Sequence, residues 1–207
     1  AFTAGWSAVK LYFMLGLPTE TKEDVEGIAR LAHQVLAVGQ RLGVPRGRLR
    51  LTVSVSFFVP KPHTPFQWEP QDKLEKLNEK RIMLKNLLKT KGIIFNWHEP
   101  LMSFLEAVLA RGDRRLGAVL EKAWRLGCRF DGWSECFRFN LWQEAFARCG
   151  IDPAWYAYQY YDDGDILPWE HINTGVSKKY LLRERKRALE GKLTIDCREG
   201  RCTGCGM

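Results

Sequence analysis

No segment of this 207-residue chain is apolar enough for long enough to cross a bilayer. Its longest apolar run, over residues 11–17, falls far short of the ~20 residues a spanning helix needs. No basic-then-apolar leader opens it, so no secretory signal is visible and the expectation is a cytoplasmic protein without a membrane partner. The initiator methionine is missing too. Ala1 opens on what reads as structured sequence, and Met207 follows directly on a cysteine cluster, so the expectation is a piece of a longer polypeptide. Internal repeats and low-complexity stretches are absent, which excludes solenoids and leaves a globular α/β or helical chain.

What is present is an ordinary globular composition, 45% hydrophobic and 27% charged, with a basic balance of +8 and a pI near 9.3. Such a balance is compatible with nucleic acid, and many enzymes share it. The basic residues spread along predicted helices: Lys73, Lys76, Lys80, Lys85 and Lys89 on one, residues 183–187 on another. They read as solvated helix faces. Of the eight Trp, six fall between Trp97 and Trp169, where packing of a loop-rich helical region is expected ahead of stacking on bases. Cys128, Cys136 and Cys149 are scattered and read as inert thiols. Cys197, Cys202 and Cys205 are clustered. Without an export signal they read as metal ligands, not disulfides.

Residues 8–15 alternate, with Val9, Leu11, Phe13 and Leu15 on one face and Lys10, Tyr12, Met14 and Gly16 on the other, and predict a strand. Thr21 with Asp24 three residues on forms a capping-box variant, and Val25, Ile28, Ala29, Ala32, Val35, Leu36 and Leu42 make one apolar stripe. Gly43 and Pro45 end that helix. A second strand alternates more cleanly: Leu49, Leu51, Val53, Val55 and Phe57 against Arg50, Thr52, Ser54, Ser56 and Phe58. This is a β-α-β unit, and such units put ligands at the carboxyl ends of their strands. The greasy face is expected to meet helices. The hydroxyl face would then line a polar cavity, whereas a half-exposed antiparallel strand is the plain alternative. A second helix is predicted over 71–91, and further short helices over 101–111, 113–126, 139–149 and 177–190.

Four segments carry a family resemblance. Leu15-Gly16-Leu17-Pro18-Thr19-Glu20-Thr21 resembles the Gly-Leu-Pro-Gly-Glu-Thr turn after a late strand of radical S-adenosylmethionine (SAM) barrels, with Thr19 in place of the second Gly. Phe58-Val59-Pro60-Lys61-Pro62-His63-Thr64-Pro65-Phe66-Gln67-Trp68 resembles the last barrel strand and its loop. Pro168-Trp169-Glu170-His171-Ile172 and Thr174-Gly175-Val176-Ser177-Lys178-Lys179 resemble the extension of one subfamily. Asp196-Cys197-Arg198-Glu199-Gly200-Arg201-Cys202-Thr203-Gly204-Cys205-Gly206 resembles its terminal cysteine motif. That subfamily is the uncharacterised radical SAM proteins with an N-terminal cobalamin-binding domain.

The resemblance implies an α/β fold: the C-terminal part of a partial TIM-type barrel over residues 1–92, a mainly helical extension over 93–192, and a Cys-rich tail over 193–207. It implies an enzyme whose [4Fe-4S] cluster is held by a Cys-x3-Cys-x2-Cys loop. This chain has no such loop. Its own cysteines are spaced Cys-x4-Cys-x2-Cys, so the cluster ligands, and any cobalamin-binding domain, would lie upstream in the same polypeptide. SAM would meet Tyr12, Met14, Gly16, Ser54 and Ser56, with backbone groups around Val59 and Pro60 at the adenine edge. Cys197, Cys202 and Cys205 would hold an auxiliary iron–sulfur cluster or a zinc ion. Glu20 reads as a charge favoured at a helix start, not a catalytic acid. His63 reads as a loop residue at the barrel mouth, and His98 and His171 as structural. The rival reading is a basic RNA-binding module with a zinc-knuckle tail. A hydrolase half-barrel is set aside, because no nucleophile–base set or carboxylate pair stands at the strand ends. No catalytic residue, substrate or reaction type is readable.

Overall fold

The computed structural model describes residues 1–206. They form an α/β structure in two compact units. The first joins residues 1–58 with 72–100, and the second joins 59–71 with 101–206.

The first unit holds β1 (Ala8–Leu15), α1 (Lys22–Arg41), β2 (Arg50–Phe57), α2 (Leu74–Leu87) and β3 (Ile93–Trp97). The strands make one open sheet in the order β1-β2-β3, and both pairings are parallel. The register sets Leu11 beside Val53 and Phe95, and Tyr12 beside Ser54 and Asn96. The expectation of parallel first and second strands holds. β3 was not foreseen. Ile93 was read as the start of a helical region, but Ile93, Phe95 and Trp97 alternate with Ile94 and Asn96 as a short strand does.

One sheet face is packed. Leu51, Val53, Val55 and Phe57 lie at 3% exposure or less against Val25, Ala29, Ala32 and Leu36 of α1 and Leu77 and Leu84 of α2. Each fully buried Leu or Val contributes roughly 1.5–3 kcal/mol, so this layer holds the unit together. α1 starts where the chain dictates. The Thr21 hydroxyl accepts from the Asp24 N–H, and the Asp24 carboxylate accepts from the Thr21 N–H at 2.8 Å. That box satisfies two orphan donors of the first turn. The helix stops at Arg41, and Gly43 follows at φ +76°, a conformation favouring Gly.

The second unit contains most of α3 (Pro100–Ala110), then α4 (Leu116–Arg125), α5 (Phe139–Arg148), α6 (Pro153–Tyr158) and α7 (Lys178–Leu189). Here a buried Arg111 donates to the carbonyls of Tyr156, Ala157 and Gln159 and so ties the end of α3 to α6. Trp68, Tyr161, Leu167, Trp169 and Leu181 form a separate cluster. Arg185 braces it through Glu69, Asp163 and the Tyr160 hydroxyl. Among the described residues no helix is long and apolar enough to cross a membrane.

Candidate functional site

The face of the sheet opposite α1 and α2 carries Lys10, Tyr12 and Met14 from β1, Thr52, Ser54 and Ser56 from β2, and Ile94 and Asn96 from β3. Side chains alternate along each strand, so packing the aliphatic set on the helices turns this whole set outward. Tyr12 is 72% exposed and Met14 43%, and the three hydroxyl residues are half-buried. The Lys10 ammonium sits 4.7 Å from the centre of the Tyr12 ring. The Ser56 hydroxyl makes a long contact to the Phe13 carbonyl at 3.5 Å. Tyr12, Met14, Ser54 and Ser56 are thus brought onto one surface, and Asn96 joins them through the strand that went unread.

The carboxyl end of β1 closes in a tight turn. Gly16 has φ +84°, and a Cβ placed there would come 2.8 Å from Cδ2 of Leu77. Glycine at this position is therefore explained by the turn and by the approach of α2, whatever else meets it. The Gly16 N–H donates to both Glu20 carboxylate oxygens, at 3.1 and 3.0 Å. Thr19 takes a left-handed φ of +68° to bring Glu20 back over the turn.

Glu20 does more than greet a helix dipole. Its carboxylate accepts from the Lys80 ammonium at 2.5 Å, and Lys80 also reaches Asp72 at 2.7 Å. Side-chain exposures of 6% for Glu20 and 12% for Lys80 place the pair inside the unit. Lys80 therefore leaves the solvated helix face assigned to it. Burial works against its charge, but the hydrogen bonds to Asp72 and Glu20, with their two negative charges, outweigh that and raise its pKa. Asp72, Lys76 and Lys80 sit at steps of four residues, a spacing that could have signalled the ladder.

The remaining candidates lie in the second unit. Val59 and Pro60 are buried there, beyond the end of β2 at Phe57. His63 takes φ +58°, and its N–H donates to the Gln67 side chain, which also accepts from Trp169 Nε1 at 2.7 Å. With Gln67, Trp169 and Lys178 it lines a cavity of about 250 Å³. Its Nε2 is buried with no hydrogen-bond partner among the described residues.

The tail meets α7 through two backbone carbonyls. The Ser177 N–H at the start of α7 donates to the Cys205 carbonyl at 2.8 Å, and Arg183 donates to the Thr203 carbonyl. Cys197 and Cys202 are exposed and Cys205 half-buried, all three as free thiols. Among the described residues no three His, Cys, Asp or Glu side chains are gathered to hold an ion, so the tail as placed does not form a ready site.

The chain is 35% identical over 117 residues to a protein of Methanocaldococcus jannaschii described as uncharacterized protein MJ0966. The match covers 56% of this chain and 24% of that protein, so the chain spans about a quarter of its relative. No family model matches the chain, and no solved structure does.

Proposed function

We propose that this chain is part of a radical SAM enzyme and contributes one wall of its SAM and substrate pocket. The observation that carries the reading is the uncovered hydroxyl-bearing face of a wholly parallel sheet. Parallel sheets are as a rule covered on both sides, and in a closed barrel the inner face leads up to the ligand site at the carboxyl ends of the strands. The three strands would be the closing strands of a partial TIM-type barrel, and unit two its helical extension.

The chemistry of the donor set fits part of SAM. Tyr12 and Met14 offer flat apolar contact to an adenine, and Ser54 and Ser56 offer hydroxyls that hydrogen-bond a ribose or a substrate. Gly16 and the Glu20–Lys80 pair hold the turn at the strand end. When bound and reduced, the cluster–SAM pair supplies a 5′-deoxyadenosyl radical, or serves methyl transfer in cobalamin-linked members. This chain offers no ligand set for that cluster, so the residues here bind, orient and exclude water. Cys197, Cys202 and Cys205 would close on an ion only by being drawn together, since metal binding and folding are coupled.

The test is SAM binding to the full-length polypeptide by calorimetry. Paired variants Tyr12→Ala and Ser54→Val are expected to weaken it at least tenfold with the fold intact by circular dichroism. Unchanged affinity in both would remove these residues from the pocket. The isolated 207-residue chain is expected to form no 5′-deoxyadenosine after anaerobic iron and sulfide reconstitution, and its appearance would overturn the assignment of the cluster ligands elsewhere.

A further inference from the structure

We propose that the cavity beside His63 is a binding site for a small carboxylic acid with an apolar body, about ten non-hydrogen atoms in all. Trp169, Leu167 and Leu181 form its apolar wall, and the His63 imidazole and the start of α7 its polar end. The site lies wholly within unit two and does not rest on the SAM reading.

The wall is built around a buried amide. Gln67 is 4% exposed, and its side-chain oxygen accepts from the His63 N–H at 2.9 Å and from Trp169 Nε1 at 2.7 Å. One oxygen thus holds the loop and the indole in fixed relation. It also secures His63 at φ +58°, a left-handed conformation uncommon outside Gly. The ring that this turn presents has a buried Nε2 with no hydrogen-bond partner among the described residues. A buried polar atom left unpaired is a standing cost to folding, and a molecule in the cavity is the partner that removes it. The pocket proposed on the sheet makes no use of His63.

Size and charge point to the occupant. An apolar cavity of about 150 Å³ takes up benzene, so about 250 Å³ has room for roughly ten non-hydrogen atoms. SAM has more than twice as many and is excluded on size. Water fills the space poorly. A held water needs roughly two to four polar partners, and the side formed by Leu167, Trp169, Val176 and Leu181 is apolar. The polar side favours an anion. Lys178 reaches the cavity already paired with Glu170 at 2.8 Å, so these two charges cancel. The start of α7, a helix of 12 residues, tips the balance. The Ser177 N–H goes to the Cys205 carbonyl and the Tyr180 N–H to the Ser177 hydroxyl, which leaves the N–H groups of Lys178 and Lys179 with no partner inside the helix. Donors at a helix start favour a carboxylate, and His63 Nε2 adds another N–H in the tautomer protonated there. The apolar body then lies against Trp169 and Leu181. Small-molecule sites are built this way, mostly apolar with a few placed polar groups.

The experiment is calorimetric titration of the full-length polypeptide with phenylacetate, an acid of the right size. Tryptophan emission is the second readout. Phenylacetamide, of the same shape without the charge, is the comparison. Phenylacetate is expected to bind with a dissociation constant on the order of 0.1–1 mM, and phenylacetamide at least tenfold more weakly. His63→Asn removes the imidazole while tolerating the left-handed backbone, and Thr174→Trp fills the cavity from an exposed position on its wall. Each is expected to weaken phenylacetate binding at least tenfold with circular dichroism unchanged. His98→Asn, at an exposed position in unit one, should leave affinity within twofold. No heat and no change in emission up to about 10 mM phenylacetate would overturn the proposal. Equal affinity for the amide would remove the acid as the ligand class, and binding that survives both cavity variants would remove this cavity as the site.

Discussion

Replacing Lys80 by Met tests whether the ion ladder holds the turn after β1. The substitution keeps the aliphatic stem and removes the ammonium that reaches Glu20 at 2.5 Å and Asp72 at 2.7 Å. Two carboxylates are then left partly buried beside one another, and Glu20 keeps only the Gly16 N–H. Removing one partner of a buried pair costs about 3–5 kcal/mol. Asp72 is 19% exposed and retains Lys76 at 2.9 Å, so the lower end, about 3 kcal/mol, is expected. Urea unfolding at pH 7 measures it, with Lys76→Met as the control. Lys76 is 57% exposed, and its loss should cost at most about 1 kcal/mol. Lys80 has a raised pKa, so its contribution is complete below the unfolded value of about 10.4 and is lost as pH rises through the higher folded value. The gap between the native chain and Lys80→Met should therefore stay flat from neutral pH to about pH 10 and narrow above it. Equal losses for Lys80→Met and Lys76→Met, or a gap that narrows between neutral pH and about pH 9, would refute the reasoning.

Three further outcomes follow from the same geometry. Gly16→Ala should lose about 2–4 kcal/mol from positive φ and contact with Leu77 combined, and adding Leu77→Ala should recover the contact share in a double-mutant cycle of urea melts. Arg111→Met should cost about 3 kcal/mol or more, because it strips three carbonyls of a buried donor. A thermal melt that leaves Tyr156 fluorescence and Tm unchanged would contradict it. Full-length protein purified anaerobically should hold more iron or zinc than a variant with Cys197, Cys202 and Cys205 all changed to Ala, and equal metal content would remove the tail as a ligand set.

Periodicity made the first unit legible. Val53 and Val55 against Ser54 and Ser56 named the two faces of β2, and Thr21 with Asp24 placed the start of α1 to the residue. β3 was lost because five residues with one polar member, Asn96, give too short an alternation, and two apolar residues at its start fit a helix equally well. Lys80 was lost for another reason. A lysine on a predicted helix is solvated by default, and only the fold of the turn carries Glu20 to it. α6 escaped in the tyrosine-rich stretch over 156–165, although Asp152 before Pro153 is a helix-start pattern and does cap it, accepting from the Ala154 N–H at 2.9 Å. Exposure of Trp124 and Trp133 could not be read at all, since composition counts rings without saying which way they point.

The weight carried by Ser54 and Ser56 depends on strand direction. Alternating valine and serine in an antiparallel sheet is the usual mark of a strand with one wet face, and it implies nothing about ligands. The same alternation in a parallel sheet is uncommon, because crossover helices cover both faces and favour unbroken aliphatic runs. β2 is the central strand here, paired in parallel on both sides, so its hydroxyl row is not an edge effect. The crossovers of this unit, α1 and α2, both pack against the aliphatic side. Strands in consecutive order joined by right-handed crossovers put both helices on one side, an arrangement shared by the wall of a barrel and by either half of a doubly wound sheet. In a wall the bare side is an interior, and an interior strand with Thr52, Ser54 and Ser56 in place of branched aliphatics leaves room and hydrogen bonds for something other than its own core.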